Sequence, residues 1–544
     1  MKVLQWVRSI VARKSGCGER SSHSRNNGMF AYLLIILSLF LAFSPVLLSA
    51  NYIRQDDLMW ETWPGMPMKD FGYLYHNTVF ELVRPICMFL MYFADVTAIN
   101  ITNAVYLRLA GVMMLCMLGI MLYRWQLLFN AKRILAASFA AAAFTLPAYQ
   151  VFAATGNYSI VILSGLVMAL GAAFLWHAGY HAQDAQQKYR YYYLAFILFF
   201  LSLLDYPLSS MYIWVFIAIA FLNTESGKRQ FISFLFVTSI KMMVFYYVFC
   251  RLIHLLFHVP TKGSRVSVID TSHITDKFTQ IVDVLGWHSN LWLWNDLAPF
   301  FKTPAVLLFG LFFLALMKQY SFKNAIYTLL AVLLFFLLSY SPILASPEFQ
   351  ITFRYTITTM PILLYLVFWS ITTLTPRMLN AVICIAIAVF GLTYANIMVA
   401  DGIVGPNTKD FASVEQQLKE KVLPLLEKNQ PIVIHGIACD KIPQTYAPKV
   451  PTHLEYSMRI CQYQQQVIGV IIHSLRKMGV ASNFNQHNEV IYNTDEIVVK
   501  NIPWGTLVVN SVDNFNADSS QQIVTIDTRT LPPYHHFDFY RQLL

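Results

Sequence analysis

The chain has 544 residues, 57% of them hydrophobic and only 12% charged, about half the charged share of an ordinary soluble domain. That composition excludes a purely soluble protein. The net charge of +10 does not point to nucleic acid, because the excess sits in the N-terminal tail and in short loops such as 124–133, 188–190 and 227–229. From Ala400 onward the balance is slightly acidic, with 12 Lys and Arg against 14 Asp and Glu, so charge here is a topology signal.

The first 28 residues form a basic tail, carrying Lys2, Arg8, Arg13, Lys14, Arg20 and Arg25 against Glu19. The apolar run 29–50 is longer than a secretory h-region and no A-x-A-type site follows it, so it reads as a retained first helix. The positive-inside rule then puts the N-terminus in the cytoplasm and residue 51 on the far side. Further runs near the roughly 20 residues needed to span hydrocarbon lie at 104–123, 133–151, 157–178, 191–205, 207–222, 231–257, 302–318, 323–344, 354–374 and 378–399. The run 79–97 is short and contains Arg84–Pro85. Read as an interfacial helix rather than a span, it leaves the basic loops at 124–133, 180–190, 225–230 and 318–323 inside. The fold class is thus a polytopic α-helical membrane protein of about eleven transmembrane helices over 29–399, with outer loops at 51–103 and 258–301.

Beyond residue 400 the pattern changes. "DFASVEQQLKEKVLPLLEKNQ" has helical periodicity, "PIVIHG" reads as a buried strand, and "RICQYQQQVIGVIIHSLRKMG" is a helix with Gly479 as its stop. "EVIYN", "EIVVKN", "TLVVNSV" and "QQIVTID" predict further strands. Residues 400–544 therefore read as a small extracytoplasmic α/β domain.

Chemistry-bearing residues gather in the outer segments. The pair Asp56–Asp57 follows the first helix closely and is flanked by Trp60, Trp63, Tyr73 and Tyr75, residue types that favour the headgroup plane. A carboxylate beside a like charge and near lipid is a stronger base than one in water; the plain alternative is a solvated loop. Arg84 stands between apolar residues, whereas Arg108 and Arg354 sit at helix starts, where snorkelling to the interface is an equal alternative. Asp205, followed by Tyr206 and Pro207, reads as a turn residue, with contact to a ligand as the lesser alternative. His288, in "GWHSNLWLW", reads as an interfacial anchor, and Trp287, Trp292 and Trp294 beside it are anchors or sugar-stacking rings. No spacing for a metal or a cofactor is present.

The segments "QDD" (55–57), "VRPICMFLMY" (83–92), "RLAG" (108–111), "LSLLDYPLSSMY" (201–212) and "FRYTITTMP" (353–361) together resemble GT-C class membrane glycosyltransferases. More narrowly, they resemble the GtrII family of serotype-converting O-antigen glucosyltransferases. The resemblance implies an inverting, multi-pass enzyme of the inner membrane, with no cofactor and no nucleic-acid partner. Such an enzyme takes a hexose such as glucose from a polyprenyl-phosphate carrier and gives it to a lipid-linked glycan at the outer face. It implies Asp56, with Asp57 beside it, as the catalytic carboxylate. Arg84, Arg108 and Arg354 are then candidates for the donor phosphate, and Trp60, Tyr206 and His288 for the sugar or acceptor. Two alternatives stay open: a polysaccharide polymerase or ligase, and a transporter or flippase of a lipid-linked sugar. The second is disfavoured by spans that read as nearly free of buried charge. Cys439 and Cys461 are either a disulfide or two buried thiols.

Overall fold

A computed structural model of the chain describes residues 23–49, 77–97, 104–224, 229–259, 275–279, 281–282, 291–292, 302–345, 356–426, 432–438, 464–480, 489–492, 496–502, 505–510 and 522–528. In chain order the helices are α1 (His23–Ala42), α2 (Ser44–Leu48), α3 (Pro85–Thr97), α4 (Ala104–Leu128), α5 (Arg133–Ala143), α6 (Pro147–Ala154), α7 (Gly156–Tyr180), α8 (Ala185–Asp205), α9 (Pro207–Ser210) and α10 (Ile213–Asn223). They continue with α11 (Arg229–Leu256), α12 (Lys302–Gln319), α13 (Phe322–Leu338), α14 (Ser341–Ala345), α15 (Thr356–Leu374), α16 (Arg377–Val399), α17 (Gly405–Lys421), α18 (Leu423–Leu426) and α19 (Gln464–Lys477). Among the described residues five helices are long and apolar enough to cross a membrane, or six if the bent pair α5–α6 counts as one span. Their outward faces are apolar: Val244, Phe245, Val248 and Leu252 of α11 and Val382, Ile385 and Val389 of α16 are all exposed. Water does not tolerate such continuous apolar faces, and lipid does. The chain is a helical membrane protein.

Local chemistry explains the breaks. Asp184 caps α8, its carboxylate accepting from the amides of Gln186 at 3.3 Å and Gln187 at 3.0 Å, which satisfies two otherwise orphaned donors. The run 133–151 is bent by 56° between α5 and α6, where Pro147 has no amide to give the preceding turn. Side chains close that gap: Thr145 Oγ1 donates to the Ala142 carbonyl at 2.7 Å and Gln150 Nε2 to the Thr145 carbonyl at 2.7 Å. Trp292 donates its indole N–H to Thr145 Oγ1 at 3.0 Å and is 3% exposed. It fills the space over Gly391, where an added Cβ would stand 2.5 Å from the indole. Trp292 is therefore a buried plug against the bundle, not a sugar-stacking ring.

Contacts near helix ends hold the bundle together in pairs. Phe80 meets Phe257 (ring centroids 4.6 Å), Ser49 meets Thr408 (3.2 Å) and the Tyr149 hydroxyl donates to the Ile357 carbonyl (2.6 Å). Phe129 and His177 pack on Phe231, Arg124 on Tyr32, and the Lys318 ammonium donates to the Leu374 carbonyl at 3.2 Å. The segment 79–97 is a π-helical turn, Asn77–Glu81, followed by α3. At 13 residues, about 20 Å, α3 is too short to span the roughly 30 Å hydrocarbon core.

The strands are β1 (Ile432–Ile437), β2 (Glu489–Tyr492), β3 (Glu496–Ile502), β4 (Gly505–Asn510) and β5 (Gln522–Asp527), in sheet order β2-β3-β4-β1-β5. β1 is parallel to β4 and β5, while β3 is antiparallel to β2 and β4. Buried on both faces, β1 is apolar nearly throughout, as a central parallel strand must be. Phe411, Val414 and Leu418 of α17 and Val467, Ile471 and Leu475 of α19 pack with Ile434, Leu507 and Ile526 in one core. Gly479, at φ +78°, ends α19 in the left-handed conformation that glycine adopts without steric cost. Gln417 clamps α17 to the edge strand, donating to the Asp527 carbonyl at 3.1 Å and accepting from its amide at 3.2 Å.

The expected boundary at residue 400 is not a break in the backbone. Arg377–Leu426 is one helical stretch of 50 residues, about 75 Å long. A π-turn, Ala400–Val404, lies within it just before Pro406. Widening the helix there relieves the clash between a proline ring and the carbonyl four residues back.

Candidate functional site

Arg84 is placed by a backbone break. Val83 is left-handed at φ 51°, Pro85 opens α3, and the Arg84 amide donates to the Thr78 carbonyl at 3.0 Å. A residue before proline is pushed out of the helical region, and a β-branched residue rarely adopts positive φ. The chain therefore turns sharply here and carries the guanidinium inward. Its Cζ lies 4.8 Å from the centroid of the Tyr206 ring, a cation–π geometry.

Tyr206 is held by a second break. α8 ends at Asp205, Tyr206 is extended, and Pro207 starts α9. Serines tie this break to α7. Ser202 Oγ donates to the Gly165 carbonyl at 2.7 Å, Ser209 Oγ to the Ile162 carbonyl at 2.9 Å, and Ser202 and Ser210 share a bond of 2.8 Å. Gly165 permits the approach: a Cβ there would stand 2.8 Å from Ser209 Cβ and 3.0 Å from Asp205 Oδ2.

Asp205 is not the turn residue that its place before Tyr206–Pro207 predicts. No side chain caps α9. The Asp205 carboxylate turns instead toward α7, where Oδ2 accepts from Ser164 Oγ at 3.1 Å. Asp205 is fully buried and its Oδ1 has no hydrogen-bond partner, a costly state for a carboxylate. Arg84 lies near enough to act electrostatically on Asp205, Cys87, Tyr246 and Cys250, so elements distant in sequence converge on it. Ser164 lies eight residues into α7 and Cys250 six residues before the end of α11. At 1.5 Å per residue the cluster is roughly 9–12 Å below those helix ends.

Arg108, in the second turn of α4, is fully buried. Its side chain points into the bundle, which removes the snorkelling alternative. Asp56, Asp57, Trp60, His288 and Arg354 lie outside the described residues, as do Cys439 and Cys461. Of the residues singled out in the sequence, the fold brings Arg84 and Tyr206 together. Sequence reasoning undervalued Asp205. The available signal was an acid between two apolar runs, with Ser202, Ser209 and Ser210 close by; a solvated turn has no need of apolar flanks on both sides.

The expectation that ionisable groups stay out of the bundle is not met, since Arg108 and Asp205 are both buried within it. No protein-family model, no curated protein and no solved structure matches the chain.

Proposed function

We propose that the chain is an inverting membrane glycosyltransferase of the GT-C type. It moves a hexose such as glucose from a polyprenyl-phosphate carrier to a cell-surface glycan such as O-antigen, on the outer face of the inner membrane. The observation that carries this reading is the Arg84–Tyr206 pair: a guanidinium at the broken start of a helix too short to span, stacked on a ring between two others. The geometry suits a lipid phosphate arriving from the bilayer. Eleven alternating crossings would put the two members of each pair Phe80–Phe257, Tyr149–Ile357, His177–Phe231 and Lys318–Leu374 on one side, as their contacts require.

In this mechanism Asp56 removes the proton from an acceptor hydroxyl. The hydroxyl oxygen attacks the anomeric carbon, the carbon–oxygen bond to phosphate breaks, and the phosphate leaves with the electron pair. Arg84, with Arg108 and Arg354 as further cations, stabilises the charge gathering on that phosphate. The test is transfer of labelled glucose from the polyprenyl phosphate to a lipid-linked glycan in proteoliposomes. Asp56→Asn is expected to abolish transfer at unchanged protein level, and Asp57→Asn to be milder. Full activity in both and in the double variant removes the catalytic assignment.

A specific observation favours a second reading. The buried Asp205 and Arg108 and the broken runs α5–α6 and α8–α9 are features of transporters, whose ion and substrate sites lie at interrupted helices. A flippase would move the glucosylated lipid between leaflets without cleaving it, and the same vesicles distinguish the two. A polymerase or ligase would instead show itself as a change of chain length in the cell-surface polysaccharide, rather than loss of one side-branch hexose.

A further inference from the structure

We infer that Arg84 and Asp205 form the two halves of one headgroup site: the guanidinium takes the phosphate of a glycosyl phosphodiester, and the Asp205 carboxylate accepts a hydrogen bond from a hydroxyl of the attached sugar. The inference rests on the reading of a lipid-borne sugar phosphate as the ligand, and it adds a sugar-contacting residue to that reading.

Three observations converge. The Asp205 carboxylate is fully buried and half satisfied, with Ser164 on Oδ2 and nothing on Oδ1. The open oxygen of Asp205 can accept a hydrogen bond, and a protonated carboxyl can also donate one, so a sugar hydroxyl, which does both, completes it. A phosphate alone would be repelled unless a cation stood between, and Arg84, stacked on the adjacent Tyr206, is that cation.

The second observation is the order of burial. Asp205 is fully buried, whereas Arg84 is half-buried. Arg84 is thus the more accessible of the two and the carboxylate lies deeper. A glycosyl phosphodiester carries its anionic phosphate and its sugar hydroxyls next to each other, in the order that this pair presents.

The third is that Asp205 is not what holds the break in place. It does not cap α9, and the serines hold the break to α7 through backbone carbonyls without it. Ser164 Oγ lies 3.1 Å from Asp205 Oδ2 and 2.9 Å from the Val161 carbonyl, its one proton serving either acceptor, and it acts as a positioning residue.

The experiment measures binding, not turnover. The full chain in nanodiscs is titrated with three lipids: decaprenyl phosphate, decaprenyl-phosphate-glucose and phosphatidylethanolamine, which offers an ammonium beside its phosphate. Wild type is expected to prefer the glucosylated lipid over decaprenyl phosphate by about 10- to 100-fold, the range for a hydrogen bond to a charged group. Asp205→Asn is expected to erase that preference while leaving decaprenyl phosphate affinity unchanged, and Arg84→Gln to weaken both phosphate lipids. Should Asp205→Asn fail to fold, Ser164→Ala takes its place and is expected to lose part of the preference.

A preference retained in full by whichever variant is read overturns the inference, as does an Asp205 dependence confined to phosphatidylethanolamine. If wild type binds neither decaprenyl lipid, the inference and the reading beneath it fall together. If the preference depends on Asp205 but no transfer occurs in the vesicles, only the glycosyltransferase reading falls.

Discussion

Gly165→Ala is the smallest change that strikes the site. A methyl there would lie 2.8 Å from Ser209 Cβ and 3.0 Å from Asp205 Oδ2, both inside the normal limit for non-bonded carbon. Ser209 Cβ is fixed by the backbone of α9, so the whole break must retreat from α7. Retreat lengthens the Ser202–Gly165 and Ser209–Ile162 bonds, now 2.7 and 2.9 Å, and draws Asp205 away from Ser164. Overpacking of this kind costs about 1–3 kcal/mol, and the usual gain of about 0.5–1 kcal/mol for replacing a helical glycine by alanine offsets part of it. A net loss of about 1–2 kcal/mol is expected, with Tyr206 displaced from Arg84. Gly310→Ala is the control: nothing lies within 4 Å of its added Cβ, so that variant should be neutral or slightly stabilised. The assay is thermal unfolding in detergent by intrinsic fluorescence, run beside binding of decaprenyl phosphate. Equal stability and equal binding in the two variants would show that α7 and the 205–207 break are not in the contact described.

Three further outcomes follow from the fold. Alkaline phosphatase fused after residue 430 should be active, and an inactive fusion there with an active one in the 124–133 loop would mean that 79–97 spans. Trp292→Phe should cost about 1 kcal/mol through loss of the bond to Thr145; an unchanged melting temperature would mean that the indole does not make that bond. In Glu415, partial burial alone would raise the carboxyl, but Lys419 at 2.7 Å and Lys477 at 2.8 Å outweigh it and hold it below its ordinary value of 4.5. Because the folded value is depressed, these pairs contribute stability above pH 4.5 and lose it as pH falls through the folded value. Glu415→Gln should therefore cost up to about 1 kcal/mol at neutral pH and little in acid, read from denaturant melts at both; a cost that grows in acid would contradict the pairing.

Apolar runs near 20 residues are visible in any sequence, and those read as spans are helical where described, though 29–50, 133–151, 207–222 and 323–344 are each divided between two helices. What composition hides is continuity. Gly402, Gly405 and Pro406 signal a stop at the point where apolar sequence gives way to polar, yet the helix runs through, because a π-turn absorbs what the proline would break. The opposite error occurs at 133–151, where an unbroken apolar run conceals a bend that Pro147 could have flagged. At the site, Arg84 stood out as an arginine among apolar neighbours. That its ring partner would be Tyr206, more than a hundred residues away, is a property of packing alone. Asp205 was misjudged for the same reason: an acid before Tyr-Pro looks like a turn whether it faces water or a neighbouring helix.

The unbroken stretch Arg377–Leu426 means that residue count sets the compass bearing of the terminal domain above the bundle. With no pliable linker, the sheet turns with α16, whose Asn396 is hooked to the Leu41 carbonyl at 2.6 Å and to Ser44 at 3.1 Å. One residue inserted between Val399 and Gly405 would advance the domain by about 1.5 Å and swing it by about 100° around the helix axis. Two would carry it close to the opposite side. Chain length through the Ala400–Val404 turn is thus constrained more tightly than its side chains, because a deletion re-aims a whole domain where a substitution moves only one group.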